Sequence, residues 1–271
     1  MGLILWPLTL ALAQFNEPAA QVATSAPAAA ATSPSGFLYR ELEFNGESFA
    51  YTIYVPPEYK PDRAWPCILF LHGSGERGRD GLLQTEVGMG TAIRRHRDWF
   101  PAIVVMPQCR PDKWWTEDMA DMALKCLEDT SRSYRLDADR LYLTGLSLGG
   151  YGTWLIGGRL ADRFAAIVPV CGFFGRPDQP TDAEALRKLA ESLKSMPIWC
   201  FHGGKDRAVN VTRSQEIVAA IRAAAGSVQY TEYPDGEHNV WDRAYGDRKL
   251  WQWLFAQKRG VASQPDRRTG D

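Results

Sequence analysis

The stretch of sequence that decides the fold is Leu-Tyr-Leu-Thr-Gly-Leu-Ser-Leu-Gly-Gly-Tyr-Gly-Thr-Trp, residues 141–154. It begins with an apolar run at 141–144, which is typical of a strand buried on both faces of a sheet. Gly-x-Ser-x-Gly follows at 145–149, and helical spacing begins at Leu148. So tight a strand-turn-helix needs residues with almost no side chain near the serine, which Gly145, Gly149 and Gly150 supply, so Ser147 is expected to stand exposed beside a helix amino end. A glycine-rich turn with an incidental serine is the alternative.

Strand-like and helical segments alternate on both sides of this stretch. Apolar runs predict strands at 68–71, 102–106, 141–144, 166–170, 198–201 and 228–233, and helical spacing is found at 91–97, 117–132, 148–160, 182–193, 211–224 and 248–256. Upstream, segments 37–44 and 47–55 alternate apolar and polar residues around Asn45-Gly46, a strong hairpin signal. This order predicts an α/β fold whose central sheet is mostly parallel, with an antiparallel N-terminal hairpin and helices on both faces.

Composition excludes several classes of function. The 271 residues carry 31 Lys and Arg against 32 Asp and Glu, and this near-neutral balance argues against a nucleic-acid partner. No apolar run approaches the roughly 18 residues of a membrane-spanning helix. There is no internal repeat and no second change of composition, so we expect one folded domain over residues 37–257. The oligomeric state is not predicted.

The two ends are expected to lie outside that domain. Leu3–Ala13 has the length of a signal-peptide core and ends in a small-x-small pattern, so residues 1–13 are predicted to be a signal peptide for export. A misassigned start, which would leave the protein in the cytoplasm, is the alternative. Residues 14–36, rich in Ala, Ser and Pro, are predicted to be a disordered spacer, and residues 258–271 a disordered tail.

Five cysteines are present, an odd number without metal-ligand spacing. Three of them lie in or beside apolar strand-like runs, where a thiol behaves as a small hydrophobic group. A bridge between Cys109 and Cys126 is conceivable in an oxidising compartment, but it depends on geometry. We expect five thiols, none of them catalytic.

A serine hydroxyl needs a base to take its proton, and His238 is the best placed of the four histidines. It lies in a polar loop between the last predicted strand and the last predicted helix, from which it can reach the carboxyl edge of the sheet. His96 belongs to a charged helical face and is expected to be solvated. His72 and His202 each end a strand before a glycine, where a structural role in a turn is more typical. A surface-loop role is the alternative for His238.

A third group must orient the base, and Asp206 is the candidate. It follows the strand at 198–201 through His202-Gly203-Gly204-Lys205, at a strand's carboxyl end beside the loop that carries His238. Asp235 and Glu237 lie too close to His238 along the chain to orient its ring easily. An incidental role in the loop is the alternative for Asp206.

When a serine attacks a carbonyl carbon, the carbonyl oxygen gains negative charge. Backbone N–H groups are needed to stabilise this oxyanion. The strand at 68–71 runs into His-Gly-Ser-Gly-Glu-Arg-Gly at 72–78, and we assign the backbone N–H groups of Ser74 and Leu148 to this role. A phosphate-binding loop is the alternative for this segment, but the Lys-Ser/Thr ending is absent. No G-x-G-x-x-G opens a helix after the first parallel strand, so a dinucleotide site is not predicted.

Four motifs together resemble those of the α/β-hydrolase superfamily: LTGLSLGGYGTW at 143–154, LFLHGSGERG at 69–78, FHGGKD at 201–206 and GEHNVW at 236–241. The chain is most similar to the secreted esterase branch with feruloyl and acetyl-xylan esterases, polyhydroxyalkanoate-depolymerase-like proteins and "predicted peptidases" similar to prolyl oligopeptidase catalytic domains. The resemblance implies a triad and two oxyanion donors: Ser147, Asp206, His238, and the N–H groups of Ser74 and Leu148.

The same resemblance bears on the shape of the cleft. About 25 residues separate Cys171 from Met196, enough for one helix, so no large cap domain is expected and the cleft should be open. Aromatic side chains near that cleft are candidates for substrate binding: Trp114, Trp115 and Trp241. Core packing or a hydrophobic rim is the alternative for each of them.

The leading hypothesis is a serine esterase that cleaves bulky or polysaccharide-linked carboxylic esters of the feruloyl or acetyl type, with a small-molecule or polymeric ester as its partner. No metal site and no organic cofactor are implied. A serine peptidase or amidase with the same triad is the first alternative, and a non-catalytic binding module on the same scaffold is the second.

Overall fold

Eight strands form one sheet in the part of the chain described by this computed structural model, residues 33–176 and 179–260. The strands are β1 (Gly36–Phe44), β2 (Glu47–Val55), β3 (Trp65–Leu71), β4 (Ile103–Pro107), β5 (Leu136–Leu146), β6 (Ala166–Val170), β7 (Ile198–Gly203) and β8 (Val228–Tyr233). The helices are α1 (Met89–Arg95), α2 (Glu117–Ser133), α3 (Leu148–Arg159), α4 (Ala183–Leu193), α5 (Thr212–Ala223), α6 (Trp241–Tyr245) and α7 (Arg248–Ala256). Three single turns of 3-10 helix lie between β3 and β4.

The sheet is antiparallel only where it starts. Its strand order is β1-β2-β4-β3-β5-β6-β7-β8. β1 pairs with β2 and β2 with β4 in antiparallel register, and every later pair is parallel. Asn45 and Gly46 both have positive φ, 51° and 78°, as the tight turn of the β1–β2 hairpin requires. The predicted α/β-hydrolase sheet with its N-terminal hairpin is confirmed.

Two apolar layers cover the sheet, one on each face. Successive residues of β3 alternate between them: Leu69 belongs to the layer under α2 to α5, and Phe70 to the layer under α1, α6 and α7. Both side chains are fully buried, as expected for a central strand of a parallel sheet. Truncating such a side chain to alanine costs about 2–5 kcal/mol, so the two layers hold the central strands in place.

Some elements differ from the sequence prediction. β5 begins at Leu136, five residues before the predicted start, and α6 was not predicted at all. Near the C-terminal end, the Arg259 N–H donates to the Asp139 carbonyl (2.8 Å), within the segment predicted to be a disordered tail. The predicted signal peptide, and residues 14–32 of the predicted spacer, lie outside the described residues, as do residues 261–271. No helix in the described ranges is both long and apolar enough to cross a membrane.

Candidate active site

Ser147 stands in a sharp turn between β5 and α3. Its φ of 53° and ψ of −115° are rare for a residue with a side chain, and its N–H donates to the Val170 carbonyl (2.9 Å). A Cβ atom at Gly149 would lie 1.9 Å from the Leu71 carbonyl oxygen, so the close approach of α3 to β3 requires glycine there. The strained turn therefore presents the Ser147 hydroxyl at the carboxyl edge of the sheet.

The loop after β8 brings His238 between Ser147 and Asp206. Nε2 of His238 lies 2.9 Å from Oγ of Ser147, and Nδ1 lies 2.7 Å from Oδ2 of Asp206. Both distances are within hydrogen-bond range. Three residues that are 32 to 91 positions apart in sequence thus meet in the order hydroxyl, imidazole, carboxylate.

Asp206 is held on both of its carboxylate oxygens. Oδ1 accepts from the N–H groups of Ala208 (2.9 Å) and Val209 (2.8 Å), which are in its own loop. Burial, the largest single influence, would raise the pKa of Asp206. The hydrogen bonds from two imidazoles and from the backbone together outweigh burial and hold the pKa well below its usual range. Asp206 is therefore ionised at neutral pH and can stabilise an imidazolium.

Two buried side chains that the sequence analysis did not assign to the site also contact this group. His202, at the end of β7, has Nε2 3.2 Å from Oδ2 of Asp206. Cys171 follows β6 with φ of 49°, and its thiol donates to the carbonyl of His238 (3.0 Å). The sequence signal for His202 was its place four residues before Asp206. Nothing local in the sequence pointed to Cys171.

Cys171, Asp206 and His238 each offer an atom within 4.8 Å of the others, so their metal-binding capacity has to be considered. Burial raises the pKa of Cys171 well above its ordinary value, and the thiol is therefore protonated, whereas a metal ligand would be a thiolate. Both ring nitrogens of His238 already face Ser147 and Asp206. The donor set suits a hydrogen-bonded relay better than a metal. All five cysteines are free and buried, including Cys109 and Cys126.

The loop after β3 lies against the serine. A Cβ atom at Gly73 would be 3.6 Å from Cβ of Ser147, and the Gly73 N–H donates to Oε2 of Glu76 (2.9 Å). Ser74 begins a 3-10 turn here, and Leu148 begins α3. The first N–H groups of a helix have no partner within it. The N–H groups of Ser74 and Leu148, the two predicted oxyanion donors, are therefore not used by their own helices.

His72 anchors this loop to the neighbouring strand. Its Nδ1 lies 2.6 Å from the Gly73 carbonyl and its Nε2 2.9 Å from the N–H of Cys109. Because the Cys109 N–H is a donor, Nε2 is the unprotonated acceptor and Nδ1 carries the proton. Burial, chiefly, lowers the pKa of His72 to about 4. His72 is thus a neutral structural histidine.

The three tryptophans proposed from the sequence have different surroundings. Trp114 is 37% exposed, and its ring meets those of Tyr151 (5.6 Å) and Phe173 (6.0 Å) edge-on. Trp115 is fully buried and donates to the His72 carbonyl (2.9 Å), an arrangement that fits core packing, the alternative considered for it. Trp241 begins α6, and its ring lies edge-on to that of His238 at 5.4 Å.

Comparisons with solved structures place this fold among hydrolases. A thermostable esterase is 31% identical, with a TM-score of 0.71 over 82% of this chain and 63% of the other. The chain thus spans about 63% of the length of that esterase. A mutant feruloyl esterase module from Clostridium thermocellum complexed with sinapinate is 16% identical, with a TM-score of 0.64 over 84% of this chain and 91% of the other. An acylaminoacyl peptidase from Pyrococcus horikoshii is 16% identical, with a TM-score of 0.61 over 86% and 44%.

At these low identities the last two likenesses concern the fold alone. A search of curated proteins gives no match. The model of the family Esterase, described as "Putative esterase", matches residues 44–260. Since this match extends over most of the chain, the protein belongs to that esterase family, within the α/β-hydrolase superfamily.

Proposed function

We propose that this protein hydrolyses carboxylic esters with Ser147 as nucleophile, His238 as general base and Asp206 as the group that orients His238. The observation that supports this most strongly is the pair of short contacts of His238, 2.9 Å to Ser147 and 2.7 Å to Asp206. A hydroxyl, an imidazole and a buried carboxylate in that order form the arrangement that makes serine nucleophilic at neutral pH.

The proposed reaction has two halves. Oγ of Ser147 attacks the ester carbonyl carbon while Nε2 of His238 takes the hydroxyl proton, and the N–H groups of Ser74 and Leu148 stabilise the oxyanion. The carbon–oxygen bond to the alcohol breaks as His238 returns the proton to the leaving oxygen, which leaves an acyl group on Ser147. Water, deprotonated by His238, then attacks the acyl carbon. The bond from that carbon to Oγ breaks as His238 returns the proton to Oγ, which releases the acid and restores the free serine.

For the substrate, we propose bulky or polysaccharide-linked esters of the feruloyl or acetyl type. Two features support this choice. In the described residues between β6 and β7 there is one helix, α4, and no larger cap. The half-exposed ring of Trp114 leads through ring contacts to Tyr151, which lies one helical turn beyond Ser147 and offers an aromatic surface to a substrate ring. We further propose that the protein is exported through a signal peptide at residues 1–13.

The test is a panel of substrates for wild type and Ser147→Ala. We expect wild type to hydrolyse p-nitrophenyl acetate and methyl ferulate, and Ser147→Ala to lose both activities. A matched peptide p-nitroanilide distinguishes the peptidase alternative, because it presents an amide to the same triad. Preferential cleavage of the anilide would contradict the ester proposal and favour a peptidase. Absence of hydrolysis by a folded wild type would contradict both and favour a binding module.

A further inference from the structure

We propose that His202 is a positioning residue for ester hydrolysis, acting through Asp206. This inference rests on the proposed function. His202 is the fifth residue of β7 and is fully buried. Its ring contacts the same carboxylate oxygen, Oδ2 of Asp206, that receives Nδ1 of His238. One aspartate thus has two imidazoles on one oxygen, of which only His238 reaches Ser147.

The contacts of His202 determine its tautomer. Nε2 lies 3.0 Å from the Val209 carbonyl oxygen and 3.2 Å from Oδ2 of Asp206. Both of these atoms are acceptors, so Nε2 must carry the ring proton. Nδ1 lies 2.7 Å from Oγ of Ser214, a buried residue in the first turn of α5. Oγ also lies 3.3 Å from the Gly172 carbonyl, but the unprotonated Nδ1 is the nearer acceptor for the hydroxyl proton. Ser214 therefore favours the tautomer of His202 in which Nε2, the nitrogen that faces Asp206, carries the proton.

The same contacts fix the position of the loop that carries Asp206. The Val209 N–H donates to Oδ1 of Asp206, and the Val209 carbonyl accepts from His202. The loop is thus held through both backbone groups of Val209, one on the carboxylate of Asp206 and the other on the ring of His202. Four N–H groups face the two carboxylate oxygens, from His238, His202, Ala208 and Val209. This leaves the carboxylate little freedom to rotate away from His238.

Neither His202 nor Ser214 can contact a substrate, because the side chains of both are fully buried. Any effect of His202 on turnover must therefore pass through Asp206. The titratable groups that face Asp206 are the two imidazoles and the thiol of Cys171. That thiol is neutral, since burial raises its pKa, so it adds no competing charge.

The test is the pH dependence of kcat/KM in His202→Leu. Without the second imidazole, Oδ2 carries more of the negative charge and attracts the protonated form of His238 more strongly. The acid limb of the profile should then move to higher pH by about half a unit or more. kcat should fall by about 10- to 100-fold, the size of effect expected when a hydrogen bond to a charged group is lost. KM for p-nitrophenyl acetate should change by less than about twofold, since no substrate contact is lost.

His202→Gln, whose amide can place an N–H near the position of Nε2, should recover most of the activity and return the acid limb of the profile toward that of wild type.

Thr130→Val is the matched control. It removes a fully buried hydroxyl in α2, which donates to the carbonyl of Cys126 and takes no part in the site. This variant should therefore lower stability without moving the acid limb of the pH profile. Should His202→Leu fail to fold, Ser214→Ala decides the question. It leaves the imidazole in place but removes the contact at Nδ1 that fixes its tautomer. It should shift the limb in the same direction by less.

The outcomes separate this inference from the proposed function. An active wild type whose acid limb is the same in His202→Leu, or in Ser214→Ala if the first variant does not fold, overturns the role of His202 alone. A wild type inert on every ester overturns the proposed function and this inference together.

Discussion

Acid should loosen the fold through His72, in a pH range above that in which Asp206 is protonated. Its imidazole is neutral in the folded protein, because Nε2 accepts from the Cys109 N–H and burial lowers its pKa to about 4. The ordinary value is 6.5. Between these two values the unfolded chain binds a proton that the folded chain excludes, so stability is full above about pH 6.5 and is lost as the pH falls toward 4.

The size of the effect follows from the shift. A difference of about 2.5 pKa units corresponds to roughly 3.5 kcal/mol at about 1.4 kcal/mol per unit, of which about 3 kcal/mol is lost by pH 4. Asp206 has its pKa lowered from 3.8 and so contributes in a separate range, below about pH 4. Glu76 acts in the opposite direction, since burial raises its pKa and the folded state takes up its proton first, which offsets part of the loss.

Urea unfolding followed by tryptophan fluorescence at pH 7, 6, 5 and 4 measures this directly. We expect wild type to lose about 3 kcal/mol of unfolding free energy over that range, less the offset from Glu76. His72→Gln keeps an acceptor for the Cys109 N–H but has no ionisable ring, so it should lose much less. An equal pH slope in wild type and His72→Gln would refute the assignment of the acid sensitivity to His72.

Three further predictions concern the turn that holds Ser147, the cysteine thiols and the substrate cleft. Gly149→Ala should destabilise the protein by at least about 3 kcal/mol or prevent folding, because the new Cβ would lie 1.9 Å from the Leu71 carbonyl oxygen, whereas Gly75→Ala meets no atom within 4 Å and should cost little in urea unfolding. The native protein should react only slowly with a thiol reagent such as Ellman's reagent and release five equivalents in urea, since all five cysteines are free and buried; a rapidly reacting native thiol would contradict this. Trp114→Ala should raise KM for methyl ferulate more than for p-nitrophenyl acetate, and equal changes for the two esters would speak against an aromatic subsite.

Local signals made the fold predictable. Asn45-Gly46 and the Gly-x-Ser-x-Gly turn each depend on a few adjacent residues, and both turns have the positive φ that their sequences allow. α6 has only five residues, too few to show a helical period, and so was missed. The start of β5 was missed because residues 137–140 are mainly charged, although Leu136 pairs with Trp65 beyond a register shift.

Topology made the approximate site predictable, since parallel strands bring their carboxyl ends to one edge of the sheet. Ser147, Asp206 and His238 follow three such strands and meet there. The supporting contacts could not be foreseen. The bond from Cys171 to the His238 carbonyl joins residues 67 apart, and it arises from packing that no local pattern encodes.

The adjacent Trp114 and Trp115 show the same limit of local patterns. They lie in an irregular loop without a period, so the sequence could not tell the half-exposed ring from the buried one.

The most direct test of the account is to incubate wild type and Ser147→Ala with a fluorophosphonate and to record the intact mass of each protein together with its ester hydrolysis. The account predicts one adduct per wild-type chain, located on the peptide that contains Ser147, with hydrolysis lost in step with labelling. Ser147→Ala should show neither the adduct nor the activity. Hydrolysis that persists in folded Ser147→Ala, or an adduct on another residue, would contradict the assignment of Ser147 as the nucleophile.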